Sequence, residues 1–117
     1  MNVRVIALEE ISGVVVAEPR VFGDARGQFV ETYRREWVPG AREMIQANRA
    51  DRRAGALVGL HYHLHQADFW YVPFGSARMV LHDLRSGSPT EGATSEPSCR
   101  THSQRAKPTQ AGRQQCR

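Results

Sequence analysis

Hydrophobic residues over the first ninety positions fall into short runs separated by turn residues. Val3-Arg4-Val5-Ile6 and Val14-Val15-Val16 are β-branched with Gly13 between them, which predicts two strands joined by a turn. Pro19 and Gly23-Asp24 close the second run, and residues 28–33 open another of alternating polarity. Residues 34–47 carry the only helical pattern, which Pro39-Gly40 cuts to a short piece around Ala41–Ile45. Strand pattern returns over Leu57–Leu64 and Phe69–Val72. Pro73-Phe74-Gly75 then predicts a turn and Arg78–Leu84 a further strand. Closely spaced short strands with glycine-rich turns predict an all-β fold, a β-sandwich or barrel.

The run over Leu57–Leu64 is the most informative. His61, His63 and His65 alternate with Leu60, Tyr62 and Leu64, so a strand there would present three imidazoles on one face. A row of titratable rings points to a functional cavity rather than a plain core. Phe69-Trp70-Tyr71 reads as sheet packing, Trp37 as the anchor of the irregular 34–48 segment, and His82 as a strand surface residue.

Length and composition then divide the chain. The 117 residues allow one small domain, which buries roughly two-thirds of its unfolded surface. Every Phe, Tyr, Trp, Leu, Ile, Val and Met lies within residues 1–90, and none lies in 91–117. Residues 91–117 hold five basic residues against two acidic ones, which accounts for most of the formal charge of +4. The predicted organisation is therefore a folded unit over 1–90 and a basic, disordered tail over 91–117, which includes His102. A shifted reading frame near residue 91 gives the same patternless composition. It is the favoured explanation, because the sheet begun before residue 90 reads as incomplete, with open edges.

The tail lacks dense Lys/Arg blocks and interleaved aromatics, which argues against a nucleic-acid partner. Cys99 and Cys116 show no CxxC spacing and predict neither a disulfide framework nor a zinc site. Arg4, Glu9 and Glu10 interrupt the apolar N-terminus, and no run reaches membrane-spanning length, so a soluble, cytoplasmic protein is expected.

Several spaced motifs carry a family resemblance. These are Phe22-Gly23-Asp24-Ala25-Arg26-Gly27 followed by Phe29 and Glu31, then Gln46-Ala47-Asn48, Gly59-Leu60-His61-Tyr62, Gln66-Ala67 and residues 83–90. In order and in register, they resemble the dTDP-4-dehydrorhamnose 3,5-epimerase family. The resemblance implies a cupin-type jelly roll, usually dimeric, that inverts sugar carbons beside a ketone without metal or organic cofactor. It implies His61 as the catalytic base, a role that suits a ring titrating near neutral pH. It further implies Arg26, Gln46 and Asn48 as holders of the nucleotide-sugar, with Arg26 on the diphosphate. Phe22, Phe29 and Glu31 would line the nucleotide pocket, in the family often lent by a partner subunit. Arg26 also has a plain reading as a turn arginine, because Asp-x-Arg-Gly is good turn chemistry.

The chain departs from the family pattern at Val58, His63 and Asp68, where the resemblance would give Arg, Gln and Lys. The family's acid Tyr and the Asp that partners its base belong to a second half that these residues do not include. An incomplete jelly roll without full catalysis is the resulting expectation. A binding module provides the alternative. Gly55, His61-x-His63, Asp68 and Gly75 match the first metal motif of the cupin superfamily, with Asp in place of Glu. In a strand, His61 and His63 lie about 7 Å apart and His61 and His65 about 13 Å apart. A divalent ion would therefore take His61, His63 and Asp68 and leave His65 at the rim.

Overall fold

The computed structural model describes residues 3–100 and 115–116, with side chains over residues 3–97. Strands β1 (Val3–Ala7) and β2 (Val15–Pro19) form the antiparallel hairpin that the two β-branched runs predict. Its turn closes through Leu8 N donating to Val14 O at 2.9 Å, and Gly13 sits in it at φ +82, a conformation that glycine adopts without a Cβ penalty. β2 is the buried strand, with Val16 and Ala17 in the core beside Ile11 of the turn. A second hairpin follows, β3 (Val21–Asp24) with β4 (Gly27–Val30).

β5 (Trp70–Tyr71) lies in the first sheet, whose order is β1-β2-β10-β5 with β10 at Gln115–Cys116. The last hairpin joins β6 (Ser76–Arg78) and β7 (Leu81–His82) to β8 (Thr94–Ser95) and β9 (Ser98–Arg100). The pairs from Ser76↔Arg100 to His82↔Thr94 keep a single register throughout. The strand predicted over Arg78–Leu84 is thus one arm of a broken hairpin. It breaks where Met79 and Val80 face Glu96 and Pro97, because proline has no N–H to give the ladder. Strand pairing therefore crosses residue 91, where the composition changes. The tail expected over 101–114 and 117 lies outside the described residues.

The chain is all-β, as the turn spacing predicts, but two elements differ from expectation. The helical piece around Ala41–Ile45 does not form. Short 3-10 turns at Arg35–Trp37 and Pro39–Ala41 replace it, with Gly40 at φ +70 breaking the helical path. They seat Trp37 and Val38 in the core, so Trp37 anchors this segment as expected. The strand over Leu57–Leu64 is also absent, and residues 42–69 run without regular pairing. Period-two alternation prescribes two faces, but a strand forms only where a neighbour completes its ladder. Among the described residues none does, and Leu57 and Leu60 remain 94% and 98% exposed.

Candidate functional site

The β3–β4 hairpin is built by its turn chemistry. Asp24 Oδ1 accepts the Arg26 backbone N–H at 2.8 Å, and Gly27 follows at φ +142. The Arg26 guanidinium folds back on the same carboxylate, with Nη2 to Oδ2 at 2.5 Å. That contact lowers the Asp24 carboxyl below its ordinary range and raises the guanidinium. Phe22 and Phe29 are cross-strand partners, and the Arg20 guanidinium lies 4.9 Å from the Phe22 ring centroid. A shallow depression of about 410 Å³ is lined by Phe22, Gly23, Asp24, Arg26, Gly27, Gln28 and Phe29. The hairpin therefore gathers Phe22, Arg26 and Phe29 on one surface. The Arg26 side chain is 90% exposed while paired with Asp24, the turn role that Asp-x-Arg-Gly predicts.

The other expected binding residues lie apart from this surface. Glu31 pairs with the Nε of Arg34, whose Nη2 also reaches Oε2 at 3.3 Å. Gln46 Nε2 donates to Asn48 Oδ1 at 3.3 Å, both on the exposed irregular segment. Among the described residues, no hydrogen bond, ion pair or ring contact links these groups to the hairpin or to His61.

The histidines form a second centre. His61 and His63 meet edge to face with ring centroids 5.4 Å apart, and both side chains are exposed. His63 Nε2 lies 3.4 Å from Asp68 Oδ2. In a straight strand, five residues would separate them by about 16 Å. A bend at Leu64-His65 brings Asp68 back, and Arg42 secures that bend by donating from Nη2 to His65 O at 2.6 Å. Asp68 is oriented further by Gln66 Nε2 at 3.1 Å and Trp70 Nε1 at 3.4 Å. Phe69 packs edge to face on Tyr33 at 5.2 Å, the packing role expected for this aromatic run. His82 is exposed on β7, with Nδ1 2.8 Å from Thr94 Oγ1.

A buried polar centre lies outside the expected site residues. The Asp83 carboxylate accepts from Arg85 Nε at 2.9 Å, Arg85 N at 3.0 Å, Ser88 Oγ at 2.6 Å and Thr90 Oγ1 at 2.8 Å. Arg85 holds its pKa well below the usual carboxylate range, followed by Ser88. Arg85 Nη2 also donates to Ser12 O, and Ser12 N donates to Thr90 Oγ1, which ties this loop to the β1–β2 turn. The signal was present in the Asp-x-Arg-x-x-Ser-x-Thr spacing of residues 83–90.

The sequence has known relatives. The family model for dTDP-4-dehydrorhamnose 3,5-epimerase matches residues 9–106. The dTDP-4-dehydrorhamnose 3,5-epimerase of Pseudomonas aeruginosa is 41% identical over 88 residues, covering 70% of this chain and 49% of the relative. The spore coat polysaccharide biosynthesis protein SpsL of Bacillus subtilis is 37% identical over 84 residues, covering 72% and 55%. The Shigella flexneri dTDP-4-dehydrorhamnose 3,5-epimerase is 38% identical over 90 residues, covering 71% and 50%. No solved structure matches. The chain spans about half the length of the curated relatives it matches. With a family match over most of its length and an all-β architecture in keeping with a cupin-type fold, the chain belongs to the dTDP-4-dehydrorhamnose 3,5-epimerase family.

Proposed function

We propose that this chain carries the proton-abstracting part of a nucleotide-sugar epimerase acting beside the 4-ketone of a dTDP-hexose. His61 takes the proton from the carbon next to the carbonyl, and the C–H electron pair passes into an enolate on the ketone oxygen. A water molecule on the opposite face returns a proton to the carbon, the hydroxide left behind takes the proton from His61, and the ketone is restored with the centre inverted. Arg26 meets the diphosphate, and Phe22 and Phe29 offer apolar faces to the nucleoside, while Gln46, Asn48 and Glu31, which lie apart from that surface, reach other parts of the nucleotide-sugar. The observation that carries the reading is family membership, together with an accessible His61 ring in the Gly59-Leu60-His61-Tyr62 motif. The depression bounded by Phe22, Arg26 and Phe29 supports a site for an anionic, aromatic ligand. The protein acts as a homodimer in the cytoplasm. Among the described residues, no helix is long and apolar enough to cross a membrane.

The test is solvent-deuterium incorporation into a dTDP-4-keto-hexose, followed by proton NMR at the carbons flanking the ketone. His61→Asn is expected to lower the exchange rate by about 10²–10⁴-fold, the usual contribution of a positioned base. Equal rates in both proteins would remove His61 from the chemistry.

A further inference from the structure

We propose that His61, His63 and Asp68 form a site for one divalent transition ion, and that occupancy withdraws the His61 lone pair from proton chemistry. The three side chains offer two imidazole nitrogens and a carboxylate oxygen, all within 4.8 Å of one another. Around tetrahedral zinc, with bonds of about 2.0–2.1 Å, donor atoms lie about 3.3 Å apart. His63 Nε2 and Asp68 Oδ2, at 3.4 Å, already hold that separation. The remaining closure falls to the exposed His61 ring and is at most about 1.5 Å, within reach of a side-chain rotation.

Two features distinguish this cluster from an ordinary surface group. Asp24, Asp51 and Asp83 each pair with an arginine, Arg26, Arg49 and Arg85 respectively. Among the described residues no arginine pairs with Asp68, and its carboxylate lies against His63 instead, with a His61 ring nitrogen within 4.8 Å. The Asp68 carboxylate is also held in direction by Gln66 and Trp70, and such outer hydrogen bonds orient a ligating carboxylate. Two imidazoles and one carboxylate leave a net positive charge and open positions for water, a donor set suited to Zn(II), Co(II), Ni(II) or Cu(II). A ring nitrogen that donates its lone pair to an ion cannot accept a proton. The inhibitory clause therefore rests on the proposed base role of His61, whereas the binding clause stands without it.

The full chain should be titrated with Co(II) and read by its d–d absorption, with Zn(II) as competitor. One equivalent is expected, without the thiolate-to-cobalt charge-transfer band that Cys99 or Cys116 would produce. His63→Gln and Asp68→Asn should each weaken binding by about tenfold or more, with unchanged circular dichroism. Undiminished affinity in both variants, or a thiolate band, overturns the site. Deuterium exchange into the keto-sugar is then measured with and without one equivalent of Zn(II). Inhibition of the native chain that is relieved in His63→Gln supports the second clause, and equal rates overturn it. Exchange that is absent even without metal removes that clause together with the base role, and the cobalt titration still decides the site.

Discussion

Asp83 places a charge where only 1% of its side chain meets solvent, and the surrounding loop is organised to keep it ionised. Arg85 lowers its pKa most, and Ser88 and Thr90 add hydrogen bonds that only an acceptor can take. A carboxyl whose folded pKa lies below its unfolded value of about 3.9 stabilises the fold fully above that value. The contribution is lost as pH falls from about 4 toward the folded pKa. Asp83→Asn should therefore lower the urea midpoint clearly at pH 7, and the gap to the native protein should narrow below pH 4. A gap that stays constant down to pH 2 would show that the charge is not what Asp83 contributes. Asp68 allows a prediction about rate. The family resemblance gives that position to Lys, and in the proposed reaction an added cation beside the ketone would stabilise the enolate. Asp68→Lys should raise deuterium exchange by about 10²–10³-fold, the usual value of one oxyanion donor. An unchanged rate would place the stabilising group elsewhere.

At the scale of elements, the hairpins depend on local chemistry, and that is why several were legible in the sequence. Val3-Arg4-Val5-Ile6, Gly13 and the Val14–Val16 run specify the first hairpin without help from distant residues. The Asp24 to Gly27 turn is likewise written in its own four residues. The return arm Thr94–Arg100 was not legible, because its ladder uses backbone groups and carries no apolar pattern. Leu57–Leu64 failed for the opposite reason, since its pattern is clear but among the described residues no strand pairs with it. In the site, His61, His63 and Asp68 lie together through the Leu64-His65 bend rather than through the strand that the alternation predicts. The Arg35–Trp37 turn makes a prediction of its own. Trp37 is only 4% exposed, and Trp37→Ala should cost about 3–5 kcal/mol by chemical denaturation through the cavity it leaves. A loss below about 1 kcal/mol would mean that the segment collapses onto the gap.

For the molecule as a whole, the imbalance between core and surface governs behaviour. Among the described residues the buried apolar set is Ile11, Val16, Ala17, Trp37 and Val38, while Ile45, Leu57, Val58, Leu60, Tyr62 and Leu64 all face solvent. The radius of gyration, 15.0 Å, exceeds the value of about 13 Å typical of a compact chain this long. Five of the exposed residues lie within Leu57–Leu64, a contiguous stretch whose unpaired backbone and apolar side chains favour pairing with another chain. The weight-average mass in sedimentation should therefore rise with protein concentration. Leu57→Asp with Leu60→Asp should shift the distribution toward monomer, because charges on an edge oppose pairing. Both side chains are almost fully exposed, so folding stability should move by no more than about 0.5 kcal/mol. Association that persists unchanged in the double variant would assign the contact to a different surface. It would also leave the alternation of Leu60, Tyr62 and Leu64 without a role in assembly. A monomeric double variant would instead make this stretch the element through which two copies meet, with His61 and His63 at the edge of the contact.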